Sequence, residues 1–440
     1  MRIILFASLA LLLSCSSDGG TTPATKPPLT GPALHHVLST GQSNGIGFAA
    51  KPPLTSAQPY ANVMFDSGVM TATDCDPDGC KTREEITKLV PLVEGDRYFA
   101  DAVETMSSSL ANEVSSLAAA DYDVLVSVHA RSGNIYECLR KGGCAFQDGK
   151  GYVKSFDDAM AAVEDGKRLA EAAGRPHVVT AVTAIHGESD HYDATFPLDG
   201  TDGARGAIKT YADALVEWQR DYEAGVRAIT GQKEPVPLFV SQMANWNDRE
   251  RSVIPSRQLE AHVRAPGKVI LIGATYMLPF AADCIHYTNE GERRLGEYFA
   301  KAYASTVLAK TPWEPLRPLS ATLEGDAVVV KFHVPKPPLV IDTKAVSDPG
   351  AYGFEIEDDS GATPAITDVS VTAPDAVRIQ LAAAPAGANR RVKYAMRATP
   401  QTCPGPKTGP RGNLRDSDGT PSVVGYDLAN WSVAFDLPIE

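Results

Sequence analysis

The chain has 440 residues, of which 43% are hydrophobic and 22% are charged. At this length the composition supports a sizeable hydrophobic core, excludes a disordered polyelectrolyte and predicts two domains. The formal net charge is −13 and no segment is rich in Lys or Arg. We therefore expect no nucleic-acid partner, because phosphate-backbone binding requires concentrated positive charge.

The N-terminal segment has the pattern of a bacterial lipoprotein signal. Met1-Arg2 is a short cationic start, Ile3–Leu13 is apolar, and small residues precede Cys15. We expect a signal peptide at 1–14, lipidation of Cys15 and a flexible tether at 15–33. An ordinary secretory signal with an incidental Cys15 is the alternative. Ser rather than Asp follows the cysteine, which by resemblance to bacterial lipoproteins favours anchoring in the outer membrane of a bacterial cell envelope.

From residue 34 onward, short β-branched runs alternate with amphipathic helical patterns. The runs typical of buried parallel strands are Leu34–Thr40, Val124–His129, Val178–Ile185, Leu238–Gln242 and Val269–Thr275. The helical patterns are Ala100–Ala119, Tyr152–Ala173, Ala204–Thr230 and Asn289–Leu308. This alternation predicts an α/β domain at 34–311, built on a doubly wound parallel sheet with helices on both faces. Ligands bind at the carboxyl ends of strands in such sheets, so polar motifs there carry the most weight.

Two further regions lack this alternation. Ala50–Asp96 is rich in Pro, Asp and Gly, and we interpret it as a long insertion that shapes the rim of the site. Residues 315–440 predict an all-β, sandwich-like second domain, because short alternating segments are joined by turn residues. The predicted strands of this domain are Ala327–His333, Gly353–Glu357, Val369–Thr372, Val377–Leu381, Arg391–Met396 and Trp431–Leu437.

Apart from Cys15, six of the seven cysteines remain, an even number in a chain expected to enter an oxidising compartment. We therefore expect disulfides. Two close pairs would each bridge a local turn, and elimination leaves one long-range pair; other pairings stay formally open. The expected pairs are Cys75–Cys80, Cys138–Cys144 and Cys284–Cys403.

The first predicted strand ends in Gly41-Gln42-Ser43-Asn44-Gly45. A serine at this point can present its hydroxyl to the cleft and its backbone N–H to a developing oxyanion. The flanking glycines permit a tight turn. The alternative is that Ser43 only caps the following helix.

A second motif, Asp283-x-x-His286, lies in the loop before the last predicted helix. The carboxylate of Asp283 can orient the imidazole and stabilise its charged form, while the other ring nitrogen faces a serine hydroxyl. A histidine near a helix start is commonly a surface or capping residue, and this is the alternative. Ser43 and His286 nevertheless both fall at strand-to-loop junctions of one predicted sheet.

A third polar cluster, His186-Gly187-Glu188-Ser189-Asp190-His191, follows the third predicted strand. Such a cluster can donate to an oxyanion, bind sugar hydroxyls or hold a metal. The spacing does not match a zinc motif that places its ligands on one helix face, so a metal is the less favoured interpretation.

Taken in order, Gly-Gln-Ser-Asn at 41–44, His-Gly-Glu-Ser-Asp at 186–190 and Asp-x-x-His at 283–286 resemble the SGNH hydrolase superfamily. They are most similar to its sialate O-acetylesterase and acetylxylan-esterase-like members. The resemblance covers 34–308 and implies a three-layer α/β/α fold. It also implies that Ser43 is the nucleophile, His286 the general base and acid, and Asp283 the residue that orients the imidazole.

The resemblance also implies an oxyanion hole. Its expected donors are the Ser43 N–H, the Gly133 N–H in the loop after the second strand, and the imidazole of His186 at a position where Gln is common. Gln42, Asn44 and Glu188 are expected behind these groups, where they position them. The usual Gly-Gly-Ser/Thr form of the loop is not intact here, so its register is open by one residue.

A competing motif is a formal match to an EF-hand calcium loop, formed by Asp74, Asp76, Asp78 and Glu85. Pro77 lies inside it and Lys81 stands where an apolar residue is expected. The cysteines within it suit a disulfide turn better, so we expect no metal.

The resemblance implies a cofactor-independent serine esterase that removes O-acetyl groups from carbohydrate. A catalytically silent carbohydrate-binding lipoprotein, and a GDSL-type lipase or thioesterase with a greasy acyl pocket, are the alternatives. Aromatic residues of the second domain favour a packing or substrate-rim role over an independent carbohydrate-binding module; these are Tyr352, Phe354, Tyr394 and Trp431.

Overall fold

The computed structural model describes residues 33–73, 81–98, 101–147, 152–193, 208–361 and 364–440. Up to Leu271 the described strands are β1 (Leu34–Gly41), β2 (Val63–Phe65), β3 (Leu89–Pro91), β4 (Arg97–Tyr98), β5 (Asp101–Ala102), β6 (Asp123–Val128), β7 (Phe146–Gln147), β8 (Tyr152–Val153), β9 (His177–Ile185), β10 (Leu238–Val240) and β11 (Val269–Leu271). The α-helices are α1 (Ser107–Leu117), α2 (Tyr136–Leu139), α3 (Ser155–Ala172), α4 (Glu188–Asp193), α5 (Tyr211–Thr230), α6 (Ile254–Arg264) and α7 (Asn289–Tyr303).

Seven of the described strands form the central sheet, in the order β11-β10-β9-β1-β6-β2-β3. Its neighbouring strands run parallel except β3, which pairs antiparallel with β2 at one edge. The central strand β1 lies between β6 and β9, so the chain winds outward from it in both directions. The expected doubly wound sheet is confirmed, and the loops after β1, β6, β9, β10 and β11 share one edge.

Helices cover both faces of the sheet because consecutive side chains of a strand point to opposite faces. Val37 of β1 belongs to the buried cluster that contains the apolar residues of α1 and α7. The next residue, Leu38, belongs to the cluster formed with α3, α5 and α6. This division confirms the three-layer α/β/α arrangement.

The segment Ala50–Asp96 differs from its expected form. It contributes β2 and β3, which extend the sheet beyond β6 through the pair Val63–Leu125. Three-residue strands are too short to leave a periodic pattern, which is why the sequence did not reveal them.

Helix boundaries also differ from the predictions. α1 begins at Ser107, because Asp101–Ala102 belongs to the β4–β5 hairpin. The capping box of Thr210 and Asp213 starts α5, several residues after the predicted start, and residues 204–207 lie outside the described chain. α6 was not predicted, and α7 ends at Tyr303, where a π-turn over Ala304–Leu308 follows it.

The C-terminal part is built from β12 (Arg317–Glu324), β13 (Ala327–His333), β14 (Val340–Ile341), β15 (Phe354–Glu357), β16 (Ile366–Ala373), β17 (Ala376–Leu381), β18 (Arg391–Tyr394), β19 (Leu414–Arg415) and β20 (Phe435–Pro438). Its antiparallel sheets have the orders β12-β13-β17-β16 and β15-β18-β20, and β14 pairs with β19. The predicted strand at Trp431–Leu437 begins only at Phe435, while Trp431 makes an isolated bridge to Arg415. The expected all-β character of this part is confirmed.

The two parts share packing. Buried Tyr276 and Phe299 of the α/β part and Phe354 and Phe435 of the C-terminal part belong to one hydrophobic cluster. The side-chain amide of Gln242 donates to the Ala434 carbonyl at 2.9 Å and accepts from the Ala434 N–H at 2.7 Å. The residue boundaries proposed for the domains stay a prediction, and the structure adds that one core joins the two parts.

The C-terminal aromatics pack inside the molecule. Phe354, Tyr394 and Trp431 are buried, and the ring of Tyr394 stacks on Phe435 at 5.4 Å between centroids. Tyr352 is half-buried against the same cluster. This burial favours the packing role over a sugar-stacking platform.

Two of the expected disulfides are present, Cys138–Cys144 and Cys284–Cys403. The expected pair of Cys75 and Cys80 lies outside the described residues, as does Cys15. Within the described ranges, no helix has the length and apolar character needed to cross a bilayer.

A chain of polar side chains, buried except for half-buried His177, runs through the centre of the sheet. His36 bonds to His177 at 3.2 Å and to the Ser127 hydroxyl at 2.7 Å. Ser127 contacts His129 at 2.9 Å, and His129 bonds to the Asp158 carboxylate at 3.0 Å. Burial, together with Lys167 and His35, lowers the pKa of His177 from 6.5 to about 4. His177 is therefore neutral in the folded protein at neutral pH.

This shift predicts acid sensitivity. Because the folded-state pKa of His177 is the lower one, the unfolded chain binds more protons between about pH 4 and 6.5, and the free energy of unfolding falls as the pH drops through that window. We expect His177→Gln to weaken this pH dependence by up to about 3 kcal/mol in urea unfolding. His333→Gln, at a less buried histidine, is the control and should change it less. Identical pH dependence in wild type and His177→Gln would contradict the prediction.

Candidate active site

Ser43 opens a 3-10 turn over Ser43–Ile46, directly after β1. Gly41 has φ +133°, and the Ile185 carbonyl of β9 lies too close to it for any side chain. The glycine before the serine is therefore required by the tight turn. Ser43 does not cap the turn, because the N-cap residue is Gln42 and no side-chain cap bond is formed. The Ser43 hydroxyl is therefore available for another partner.

The Ser43 hydroxyl meets the imidazole of His286. Ser43 Oγ lies 2.7 Å from His286 Nε2, and His286 Nδ1 lies 2.7 Å from Asp283 Oδ2. The other oxygen of Asp283 accepts the N–H groups of Ile285 and His286, both at 3.0 Å. The three side chains, separated by most of the α/β part in sequence, thus form one hydrogen-bonded chain.

The environment of Asp283 favours its charged form. Partial burial alone would raise the pKa of this carboxyl, but the His286 N–H, the His286 imidazole and the Ile285 N–H together lower it below its usual value. An ionised Asp283 keeps the proton of His286 on Nδ1, which leaves Nε2 free to accept the serine proton. The Phe48 ring packs against His286 at 4.6 Å between centroids and limits its movement.

A buried amide–carboxylate cluster holds the His286 loop against the Ser43 turn. Glu188 Oε1 accepts from Asn44 Nδ2 at 2.9 Å and from Asn245 Nδ2 at 2.7 Å. Both amides also donate to the Ile285 carbonyl, at 3.3 and 2.6 Å. The Asn44 side-chain oxygen accepts the Tyr287 N–H at 3.1 Å. The backbone on both sides of His286 is therefore bonded to this cluster.

The expected positioning residues are found behind the chain of Ser43, His286 and Asp283. Asn44 and Glu188 belong to the cluster just described, and Gln42 accepts the Ser189 N–H at 2.9 Å. Asn245 was missed by the sequence analysis because it belongs to no recognised motif. It lies in the loop after β10, at the sheet edge where strand ends carry functional side chains, and that position is the signal by which it could have been found.

His186 occupies a different place from the one expected. Its Nδ1 accepts from the Tyr211 hydroxyl at 2.7 Å, and its Nε2 lies 3.0 Å from the Asn134 carbonyl, which only accepts. Burial lowers the pKa of His186 to about 4, so the ring is neutral and carries one N–H. The Nε2–H therefore donates to the Asn134 carbonyl. The contacts therefore contradict an oxyanion-donor role for His186 and make it a support for the loop after β6.

The loop after β6 carries the other expected oxyanion donor. Gly133 is exposed in this loop and has φ +66°. Its N–H bonds to no group of the described residues, so its assignment as an oxyanion donor stays a prediction. Arg131 anchors the start of the loop, because its N–H donates to the Gly41 carbonyl at 3.0 Å. Its guanidinium bonds to buried Asp158 at 3.2 Å. Among the described residues, the Ser43 N–H donates to no protein group, which leaves it free for an oxyanion.

The described candidate metal ligands are bonded to other protein groups or exposed. His191 bonds to Asp248 at 2.7 Å, and Asp190 accepts the Tyr136 N–H at 2.9 Å. Glu85 is exposed, and the remaining residues of the calcium-loop match, Asp74, Asp76 and Asp78, lie outside the described ranges. Across those ranges no group of three or more His, Cys, Asp or Glu side chains is arranged to hold a metal ion.

No protein-family model matches this sequence, and no curated protein matches it significantly. Several solved structures, in contrast, are similar to this protein. XAC1771, described as a novel carbohydrate acetylesterase from Xanthomonas citri, is 17% identical, with 91% of this chain and 80% of that chain aligned and a TM-score of 0.52. Est24, a carbohydrate acetylesterase from Sinorhizobium meliloti, is 12% identical over 61% of this chain and 98% of its own, with a TM-score of 0.32. NanS is 11% identical over 62% and 97%, with a TM-score of 0.35.

The likeness to XAC1771 concerns the fold. Its alignment extends over 91% of this chain and so includes most of the C-terminal part as well as the α/β part. The TM-scores of Est24 and NanS are too low to support an argument. The three-layer α/β/α fold implied by the resemblance is thus present, and XAC1771, at 17% identity, shares the overall fold.

The amide–carboxylate cluster predicts a stability cost. We expect Asn245→Ala to lower the free energy of unfolding by about 1–3 kcal/mol, because Glu188 and the Ile285 carbonyl lose a buried donor. Urea unfolding measures this change. Asn247→Ala is the matched control and should cost less, since the one side-chain bond of Asn247 within the described ranges is an exposed 3.3 Å bond that it accepts from the Tyr192 hydroxyl. Equal stability of Asn245→Ala and wild type would contradict the role of the cluster.

Proposed function

We propose that this protein is a serine esterase that removes O-acetyl groups from carbohydrate. The observation that carries the proposal is the continuous chain from Ser43 Oγ to His286 Nε2 and from His286 Nδ1 to Asp283 Oδ2, with 2.7 Å at each step. A hydroxyl, an imidazole and a carboxylate in this order form the standard device for activating a serine nucleophile.

The reaction follows from these contacts. His286 Nε2 takes the proton of Ser43 Oγ as the oxygen attacks the ester carbonyl. When the tetrahedral intermediate collapses, the bond from the carbonyl carbon to the sugar oxygen breaks, and His286 returns the proton to that oxygen. A water molecule then attacks the acetyl-serine with His286 again as base. Acetate leaves, and Ser43 regains its proton.

Charge develops during the reaction on the His286 imidazole and on the carbonyl oxygen of the substrate, and the site has a group that stabilises each. The negative charge of Asp283 balances the imidazolium that forms on His286. The Ser43 N–H faces the carbonyl oxygen, and we assign a second donor to the loop after β6, with Gly133 as the candidate. His186 supports that loop through the Asn134 carbonyl instead of donating to the oxyanion.

The substrate class has two supports. The ordered motifs resemble carbohydrate O-acetylesterases of the SGNH superfamily, and XAC1771, which shares the fold, is described as a carbohydrate acetylesterase. A GDSL-type lipase or thioesterase is the second candidate because it uses the same side chains. An acyl-chain series on aryl esters separates the two, since an acetylesterase loses turnover as the chain lengthens and a lipase gains it.

The proposal includes a location. Cys15 follows a lipoprotein-type signal, and we propose that its lipid anchor holds the enzyme at the bacterial cell envelope, in the outer membrane. Metabolic labelling with a fatty-acid analogue, lost in Cys15→Ala, checks the lipidation, and recovery of the labelled protein in the outer-membrane fraction checks the location.

The nucleophile assignment predicts the effect of one substitution. We expect Ser43→Ala to lower kcat on p-nitrophenyl acetate by at least about 10³-fold, because no other hydroxyl in the described part of the chain is bonded to His286. Circular dichroism and urea unfolding should show an intact fold. Ser256→Ala, which removes a half-buried hydroxyl on α6, is the control and should retain turnover. Full activity of Ser43→Ala would refute the proposed mechanism.

A further inference from the structure

The segment that carries Asp283 and His286 is covalently tied to the C-terminal part. Cys284, the residue directly after Asp283, forms a disulfide with Cys403, 119 residues later. Nothing in the proposed reaction uses either sulfur. The bond lies inside the Asp-x-x-His motif itself, so it can affect how Asp283 and His286 are aligned.

The backbone at Cys284 adopts a conformation that needs support. Its φ is +67°, in the left-handed region that residues other than glycine rarely enter. This turn allows Asp283 to accept the N–H groups of both Ile285 and His286 while its second oxygen reaches the imidazole. If Cys284 left this conformation, the carboxylate would lose its alignment with His286.

The two ends of the Asp283–His286 segment are held by different means. At the His286 end, the amides of Asn44 and Asn245 bond to the Ile285 carbonyl. At the Asp283 end, the carboxylate side chain is 39% exposed, and the turn is closed by backbone bonds from the Cys284 N–H to the Ala281 carbonyl at 3.0 Å and from the Ala281 N–H to the His286 carbonyl at 2.7 Å. The disulfide is the covalent constraint at this more exposed end.

The partner of Cys284 is itself firmly placed. Cys403 follows a strap, residues 398–402, that lies on the loop after β10. The Ala398 N–H donates to the Glu250 carbonyl at 2.8 Å, and the Gln401 N–H donates to the Asn247 carbonyl at 2.7 Å. The same loop carries Asn245. The disulfide thus connects the Asp283 turn to a strap that is fixed to the α/β part.

We propose that Cys284 and Cys403 are positioning residues, whose disulfide holds Asp283 in line with His286. The proposal rests on the proposed esterase function. It implies that a dithiol reductant lowers the activity of the folded enzyme. Two electrons and two protons pass from the reductant to Cys284 and Cys403, which become thiols, while the reductant closes to its own disulfide. Reoxidation restores the tether.

The experiment uses the full chain and two readouts. Turnover of p-nitrophenyl acetate gives kcat and KM, and the labelling rate with a fluorophosphonate probe reports the nucleophilicity of Ser43 without a sugar substrate. The double variant Cys284→Ser/Cys403→Ser is compared with Cys138→Ser/Cys144→Ser, which removes the other described disulfide. We expect a fall of about 10- to 100-fold in kcat and in labelling for the first variant, with KM within about twofold. The control variant should stay close to wild type.

A double-mutant cycle tests whether the effect passes through Asp283. In an Asp283→Ala background, loss of the Cys284–Cys403 bond should lower kcat by less than about twofold further, because the group that it positions is already absent. A general structural role would instead add its full effect. If Cys284→Ser/Cys403→Ser does not fold, reduction with a dithiol of a folded protein that carries Cys138→Ser/Cys144→Ser and Cys75→Ser/Cys80→Ser provides the same comparison.

The outcomes separate the two proposals. Wild-type kcat and labelling rate in the variant without the Cys284–Cys403 bond would overturn the positioning role and leave the esterase function intact. An equal loss in the control variant, or additive losses in the cycle, would also overturn it. A wild-type protein with neither turnover nor Ser43 labelling would refute the esterase function itself.

Discussion

The hydrogen bond between the Ser43 hydroxyl and the His286 imidazole links the first and the last loops of the α/β part. Such a contact requires that both loops leave the sheet at the same edge. Parallel pairing of β1 with β6 and β9 provides this condition, because parallel strands end at a common edge. The remaining groups of the site then follow. Glu188 comes from the end of β9, Asn245 from the loop after β10, and Asp283 from the loop after β11.

The sequence identified the residues that carry the chemistry of the site better than it identified how the surrounding residues are arranged. Ser43, Asp283 and His286 were identifiable because each stands beside a strand end within a short motif, and the structure brings them within hydrogen-bonding distance. His186 was placed wrongly because a motif specifies residue type and order but not where a ring proton points. Only the positions of Tyr211 and Asn134 decide that, and both are distant from His186 in sequence.

The fold shows the same distinction between elements that neighbouring residues specify and elements that depend on contacts with distant parts of the chain. Long β-branched runs such as β9 were predicted nearly to the residue, because a continuous run of apolar, β-branched residues identifies a buried strand without knowledge of the rest of the fold. β2 and β3 are only three residues long, and they form strands because β6 offers them an edge. α6 has a polar sequence with Pro near its start, and it was missed because its burial against α5 and β11 is a tertiary effect. Asn245 belongs to the same class, since only the fold brings it to Glu188.

The side chain of Gln242 has one further consequence. It emerges after β10 and is satisfied by both the N–H and the carbonyl of Ala434, much as a neighbouring strand would be. Tyr276 makes a similar bond to the Ser432 carbonyl at 2.8 Å. A fragment truncated before the C-terminal strands would leave these interior groups without partners and would expose the aromatic cluster that surrounds them. The α/β part is therefore not an interchangeable module: in this protein, expression and engineering must treat it and its β-rich companion as one unit.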